Sequence, residues 1–173
     1  LDGVSPNAIT LFPILKACGD IGALGIGREI HMEAMKEELE SDIYVNNTLI
    51  DMYAKCGAIL EALDLLDEQP QLRDVVSWSS VISGCVDQGE IDTAFSLYKE
   101  MQEEHIKPDE VTYIILLSAC SHAGLVEEGR SCFVSMEKDY HLTPRVEHYV
   151  CMIDLFGRAG MLADAEQFIR KMP

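Results

Sequence analysis

Marked only as apolar or polar, the chain repeats itself. Gly22, Gly57, Gly89, Gly124 and Gly160 recur at spacings of 35, 32, 35 and 36 residues. Eight, seven and four positions before them stand Ile14, Leu15 and Cys18; Leu49, Ile50 and Tyr53; Val81, Ile82 and Cys85; Leu116, Leu117 and Cys120; Met152, Ile153 and Phe156. All fifteen are apolar, and steps of three and four put them on one face of a helix. Five positions after the glycine the side chain is minimal: Gly27, Ala62, Ala94, Gly129 and Ala165. Eight and nine positions after it come Ile30 and His31, Leu65 and Leu66, Leu97 and Tyr98, Cys132 and Phe133, and Phe168 and Ile169. The pattern predicts two amphipathic helices per unit, joined by a turn in which the glycine takes the left-handed conformation that ends a helix. A lone hairpin cannot bury both its faces, so successive units must stack. The expected fold is all-α, an α-solenoid of about ten helices.

Proline sets the unit boundaries. Lys107-Pro108-Asp109 ends a second helix because proline disfavours helical geometry in the residue before it, and Pro6, Pro70 and Pro144 punctuate similarly. On that phase the units run over residues 8–42, 43–74, 75–109, 110–145 and 146–173. Residues 1–7 then read as the tail of a preceding unit, and Pro173 stops the last unit short of its closing residue. The chain starts at Leu1, so a targeting peptide is expected to lie outside it. No Ser/Gly-rich or Pro-rich stretch marks a linker, and no run approaches the roughly 18 apolar residues of a membrane span.

Composition narrows the chemistry. With 173 residues, 48% of them apolar, the chain can build a sizeable core. Its net charge of −17 opposes a polyanionic partner. Acidic runs such as Glu37-Glu38 and Glu103-Glu104 are expected on the outer face, along the second helices. Six cysteines occur without a C-x-x-C pair, which fits a reducing compartment. Four of them, Cys18, Cys85, Cys120 and Cys132, fall in the repeating apolar slots, where a free thiol packs as a small hydrophobe. His31-Met32-Glu33 is the one H-x-E, but the P-C-x-x-C that would complete a zinc deaminase shell is missing. No catalytic site, metal or cofactor is expected in this chain.

The wording of the units is more specific than their length. Val75-Val76-Ser77-Trp78-Ser79-Ser80-Val81-Ile82, followed by Met101 and Ile106-Lys107-Pro108-Asp109, resembles a pentatricopeptide repeat. Residues 47–57 resemble the short unit, and residues 116–129 the long unit, of the plant subclass that mixes standard, long and short units. Val146-Glu147-His148-Tyr149 and Gly157-Arg158-Ala159-Gly160 resemble its final short unit. The resemblance covers essentially the whole chain and implies a right-handed superhelix that meets single-stranded RNA one base per unit.

It also implies roles. The fifth and last residues of a unit read the base, and the second packs against it. Asn47 with Asp74 would favour uracil, Ser79 with Asp109 would favour guanine, and Tyr44 and Val76 would be the packing residues. Phe12 with Asp42, Ile114 with Arg145, and Val150 offer no polar fifth residue. Two residues before the glycine the family places a cation to meet phosphate, and Lys55 and Arg158 fill that slot, whereas Asp20, Asp87 and His122 break it. The implied function is sequence-specific RNA binding, as the target-recognition part of an organellar C-to-U editing factor in mitochondrion or chloroplast. A deaminase-like region would then follow this chain, other editing factors would be partners, and no membrane is involved. Two alternatives stay open. Ser, Asn and Asp at these places also cap helices, and the charge of −17 suits a protein-binding scaffold.

Overall fold

The computed structural model describes residues 7–173, so the expectations for Pro6 and most of the leading tail lie outside the described residues. It contains ten α-helices: α1 (Ala8–Ile21), α2 (Leu24–Lys36), α3 (Ile43–Lys55), α4 (Ile59–Glu68), α5 (Val75–Asp87), α6 (Ile91–Glu103), α7 (Glu110–Ala123), α8 (Val126–Lys138), α9 (Val146–Arg158) and α10 (Leu162–Lys171). Two single 3-10 turns, Leu39–Ser41 and Pro70–Leu72, complete the described elements, and there is no strand among them. None of these helices is long and apolar enough to cross a membrane.

Contacts divide the chain after Glu90 into an N-terminal unit holding α1 to α5 and a C-terminal unit holding α6 to α10. No linker composition announces that division. Stacked hairpins touch only their neighbours, so an array has no single core whose sequence would mark a boundary.

Each hairpin turn follows from its glycine. Gly22, Gly57, Gly89, Gly124 and Gly160 all have φ between 70° and 78°, the left-handed region that an L side chain enters at a cost. After Gly22 and Gly124 the chain closes the helix with a bond from Ala23 N–H to Cys18 C=O (2.8 Å) and from Leu125 N–H to Cys120 C=O (2.9 Å). The minimal residue five places on has a separate cause. A Cβ at Gly27 would meet the end of the Met52 side chain, and one at Gly129 that of Leu155, so a larger residue at either place requires those flexible side chains to move aside.

Within each unit the first helices pack on one another. In the N-terminal unit α3 packs between α1 and α5, with α2 and α4 flanking; in the C-terminal unit α7 packs on α9, with α8 and α10 alongside. Leu15, Leu49, Ile50, Val81, Ile82, Leu116 and Leu117 are fully buried, each stabilising the fold by about 1.5–3 kcal/mol. Ile14, 47% exposed, and the half-buried Ile153 depart from the repeating stripe. They sit in the first and last described hairpins, which among the described residues pack on a neighbouring hairpin from one side only. Cys18, Cys85, Cys120 and Cys132 are buried and Cys56 and Cys151 half-buried, all six as free thiols. His31 is half-buried and bonds the Tyr53 hydroxyl at 2.9 Å, in the helix slot its periodicity indicated.

Candidate nucleic-acid interface

The N-terminus of a first helix leaves backbone N–H groups without partners, and before α3, α5 and α7 an aspartate supplies one. Asp42 accepts from the N–H groups of Tyr44 (2.8 Å) and Val45 (3.2 Å). Asp74 accepts from Val76 and Ser77 at 2.9 Å each, while Ser77 Oγ accepts from the Asp74 N–H. Asp109 accepts from Thr112 N–H at 2.9 Å. All three acids at unit ends are therefore N-caps, each worth about 1 kcal/mol of helix stability.

Asp74 does more than cap. Asn47, half-buried on α3, points its Nδ2 at the Asp74 carboxylate and donates to both oxygens, at 3.2 and 3.1 Å. The opposite amide orientation would set oxygen against carboxylate, so the bond fixes which amide atom points where. Asn47 Oδ1 is then shielded from solvent with no partner, an arrangement that costs about 1–3 kcal/mol until a donor reaches it.

These two residues line a groove of about 740 Å³ in the N-terminal unit. Tyr44 and Val76 flank it, 69% and 51% exposed, although both are apolar in body and stand on otherwise well-packed helices. The α1 wall comes from Phe12, Pro13 and Lys16, and further along α3 lie Asp51 and Lys55. Two exposed apolar faces with a polar pair between them suit a flat ring that carries hydrogen-bonding groups on one edge.

The other candidates are placed differently. Ser79 lies on α5, buried at 7% exposure and engaged by a neighbour. Asp109, its expected partner in reading, belongs to the C-terminal unit, where it caps α7. Lys55 Nζ stands 2.8 Å from Asp51 and 3.4 Å from Asp20, and the hydrogen bond to Asp51 is the main reason its ammonium is held above the ordinary lysine value. Arg158 pairs with Asp154 at 2.8 Å. Asp154 also accepts from Ser121, and these bonds, Ser121 first, draw its carboxyl below the usual range. Both cations in the phosphate slot are thus held by carboxylates.

Sequence reasoning passed over Phe12 as a wall of the groove, and Lys16. Lys16 occupies the register of Asp51 and Asp154 in their units, and that comparison was the only signal available.

Known proteins resemble this chain along nearly all of it. The PPR repeat family model matches residues 73–122, and the PPR repeat model matches 47–68, 111–141 and 147–173. Two Arabidopsis thaliana pentatricopeptide repeat-containing proteins, At4g14820 and At1g50270, are each 43% identical, over 99% and 98% of this chain and 24% and 28% of their own lengths. A third, the mitochondrial At3g02330, is 39% identical over 99% of the chain and 19% of its own length. The chain therefore spans about a quarter of the length of the curated relatives it matches. Among solved structures, the pentatricopeptide repeat protein PPR10 in complex with an 18-nt psaJ RNA element superimposes with a TM-score of 0.84 at 26% identity, covering 96% of this chain and 25% of that one. The PPR domain of Arabidopsis thaliana protein-only RNase P 1, in complex with tRNA, superimposes at 0.69 with 12% identity over 92% of this chain and 86% of that one, a likeness of fold alone.

Proposed function

Because the chain belongs to the pentatricopeptide repeat family, we propose that it binds single-stranded RNA through the inner faces of its first helices, reading bases with side chains at fixed register positions. The observation that carries this reading is the groove in which Asn47 and Asp74 are already bonded to each other between the exposed Tyr44 and Val76. A base entering there stacks on Tyr44 and Val76. Its edge meets Asn47, whose Nδ2 is engaged by Asp74 and whose Oδ1 needs a donor. Uracil offers its N3–H to that oxygen as the amide turns toward it; cytosine offers an acceptor at the same place and leaves the oxygen unpaired. Ser79 with Asp109 favours guanine in the neighbouring position by family resemblance alone, so the preferred dinucleotide is U then G. Lys55 and Arg158 meet phosphate by exchanging their carboxylate partners, exposed ion pairs worth about 0–1 kcal/mol each.

The finer role in this proposal is target recognition within a plant organellar C-to-U RNA editing factor of the mixed-unit subclass, with the deaminase-like chemistry in a region beyond this chain. The relative whose name places it in the mitochondrion supports an organellar setting. Anisotropy titrations with labelled single-stranded RNAs test the reading. U-G opposite the second and third repeats should bind several-fold tighter than A-C, and Asn47→Ala should erase the preference at the first of these bases. Equal affinity for the two RNAs would overturn base reading. The charge of −17 favours a second reading, a scaffold for another protein. No RNA affinity at low salt, together with a stoichiometric protein partner, would establish that one instead.

A further inference from the structure

We propose that Lys16 is the standing phosphate contact of the groove in the N-terminal unit, holding the backbone of a single-stranded nucleic acid whose base lies against Tyr44. The inference rests on the RNA-binding reading and adds a residue that the family's cation slot does not contain. Two lysines line the groove, Lys16 from α1 and Lys55 from α3. Lys55 is already engaged, 2.8 Å from Asp51 and 3.4 Å from Asp20, so one ammonium faces two carboxylates and that corner carries a local charge of −1. A phosphate reaching Lys55 must displace an acid from it.

Lys16 is in the opposite position. It is exposed and makes no ion pair or hydrogen bond among the described residues. Its natural helical partner would be Asp20, one turn further along α1, but that carboxylate is turned to Lys55 across the α1–α3 contact. The ion pair that occupies Lys55 thereby leaves Lys16 unneutralised. The stem of Lys16 begins one turn beyond Phe12, the wall of the groove, so its ammonium is within reach of a backbone running along that wall. In a chain of charge −17 a phosphate approaches against the overall field, and a cation with no carboxylate on it contributes more than one that must be released first. The lysine acts as a flexible point charge with three donors, which fixes position but reads no base.

Salt-dependent anisotropy with the U-G RNA and its A-C counterpart tests the assignment. Lys16→Ala should make the slope of log affinity against log salt shallower by about 0.7, the value for one single-strand phosphate contact, and weaken both RNAs equally. Lys16→Arg should keep the slope. Lys55→Ala should change it less than Lys16→Ala does, and Asn47→Ala should reduce discrimination while leaving the slope as it was. Both lysines are exposed, so helical circular dichroism should be unchanged throughout. An unaltered slope in Lys16→Ala, or a larger change in Lys55→Ala, overturns the assignment while base reading stands. A wild-type chain that binds neither RNA at low salt overturns the reading beneath it.

Discussion

The same two register positions carry opposite chemistry in the two units. On α3 the fifth residue is Asn47, and the N-cap of the next first helix, Asp74, bonds to it. On α7 the fifth residue is Ile114, and the N-cap of the next first helix is Arg145, which makes no side-chain cap and pairs with Glu110 at 3.0 Å. At the start of α9 the other half of the capping arrangement remains: His148, fully buried, accepts from Arg145 N–H through Nδ1 (3.0 Å), as the Ser77 and Thr112 hydroxyls accept from their N-caps, and donates from Nε2 to the Glu110 carbonyl (2.9 Å). The fold therefore tolerates a first helix whose N-cap side chain accepts no bond, and it does not need the fifth residue to be polar. Asn47 in that slot is thus not demanded by the helix start, in keeping with the base-reading role proposed for it.

Removing the His148 bridge between Arg145 and Glu110 should have the largest effect. His148→Ala deletes a buried ring and both its bonds, and a loss of about 2–4 kcal/mol in denaturant unfolding is expected. An unchanged midpoint would mean α9 starts unaided and would dissolve the contrast. Replacing Ile114 by Asn together with Arg145 by Asp should sharpen it by installing the N-terminal unit's pair in the C-terminal one. Base preference at one further RNA position should then appear, worth roughly 1–3 kcal/mol by the cost of an unpaired polar edge, and be visible as a several-fold change between RNAs differing only there. Asp74→Ala should cost about 1 kcal/mol of stability through its cap. Asp74→Asn should keep most of that stability, since an amide also caps, yet still alter the base preference. If the two variants lose stability equally, the cap is not what Asp74 supplies.

The smallest effect concerns acid. Burial holds the His31 imidazole below its usual 6.5, partly opposed by Glu40 and Glu68. The unfolded chain then takes up the proton first, so the stability that neutral His31 contributes is present above about pH 6.5 and declines as pH falls from there toward the folded-state value. Unfolding midpoints at pH 7.5 and 5.5 should differ less in His31→Gln than in the parent chain.

Much of this was legible because it rests on local rules. Glycine suits the positive φ of the hairpin turns, and small residues at Gly27 and Gly129 suit the approach of Met52 and Leu155. The apolar stripe at Leu49, Ile50 and Tyr53 had one face to bury. The capping role of Asp42, Asp74 and Asp109 was open from sequence and emerged in each case, with Asp74 also holding Asn47. Which lysine is neutralised was not legible, because it depends on where Asp20 and Asp51 turn, a choice among rotamers of similar energy on a wet surface. Nor was the bridge made by His148, whose ring replaces a hydroxyl that the equivalent Thr10, Ser77 and Thr112 provide.

Asp74 serves a helix and a neighbouring amide at once, and this restricts how such an array can be re-addressed. On the proposed reading, a change of specificity made at the closing residue of a repeat is also a change to the start of the next one. Substitutions drawn from Asp, Asn, Ser and Thr alter the address at little structural cost. Any other residue gives up the side-chain cap, as Arg145 does, so new specificities at this slot should carry a stability cost of about 1 kcal/mol.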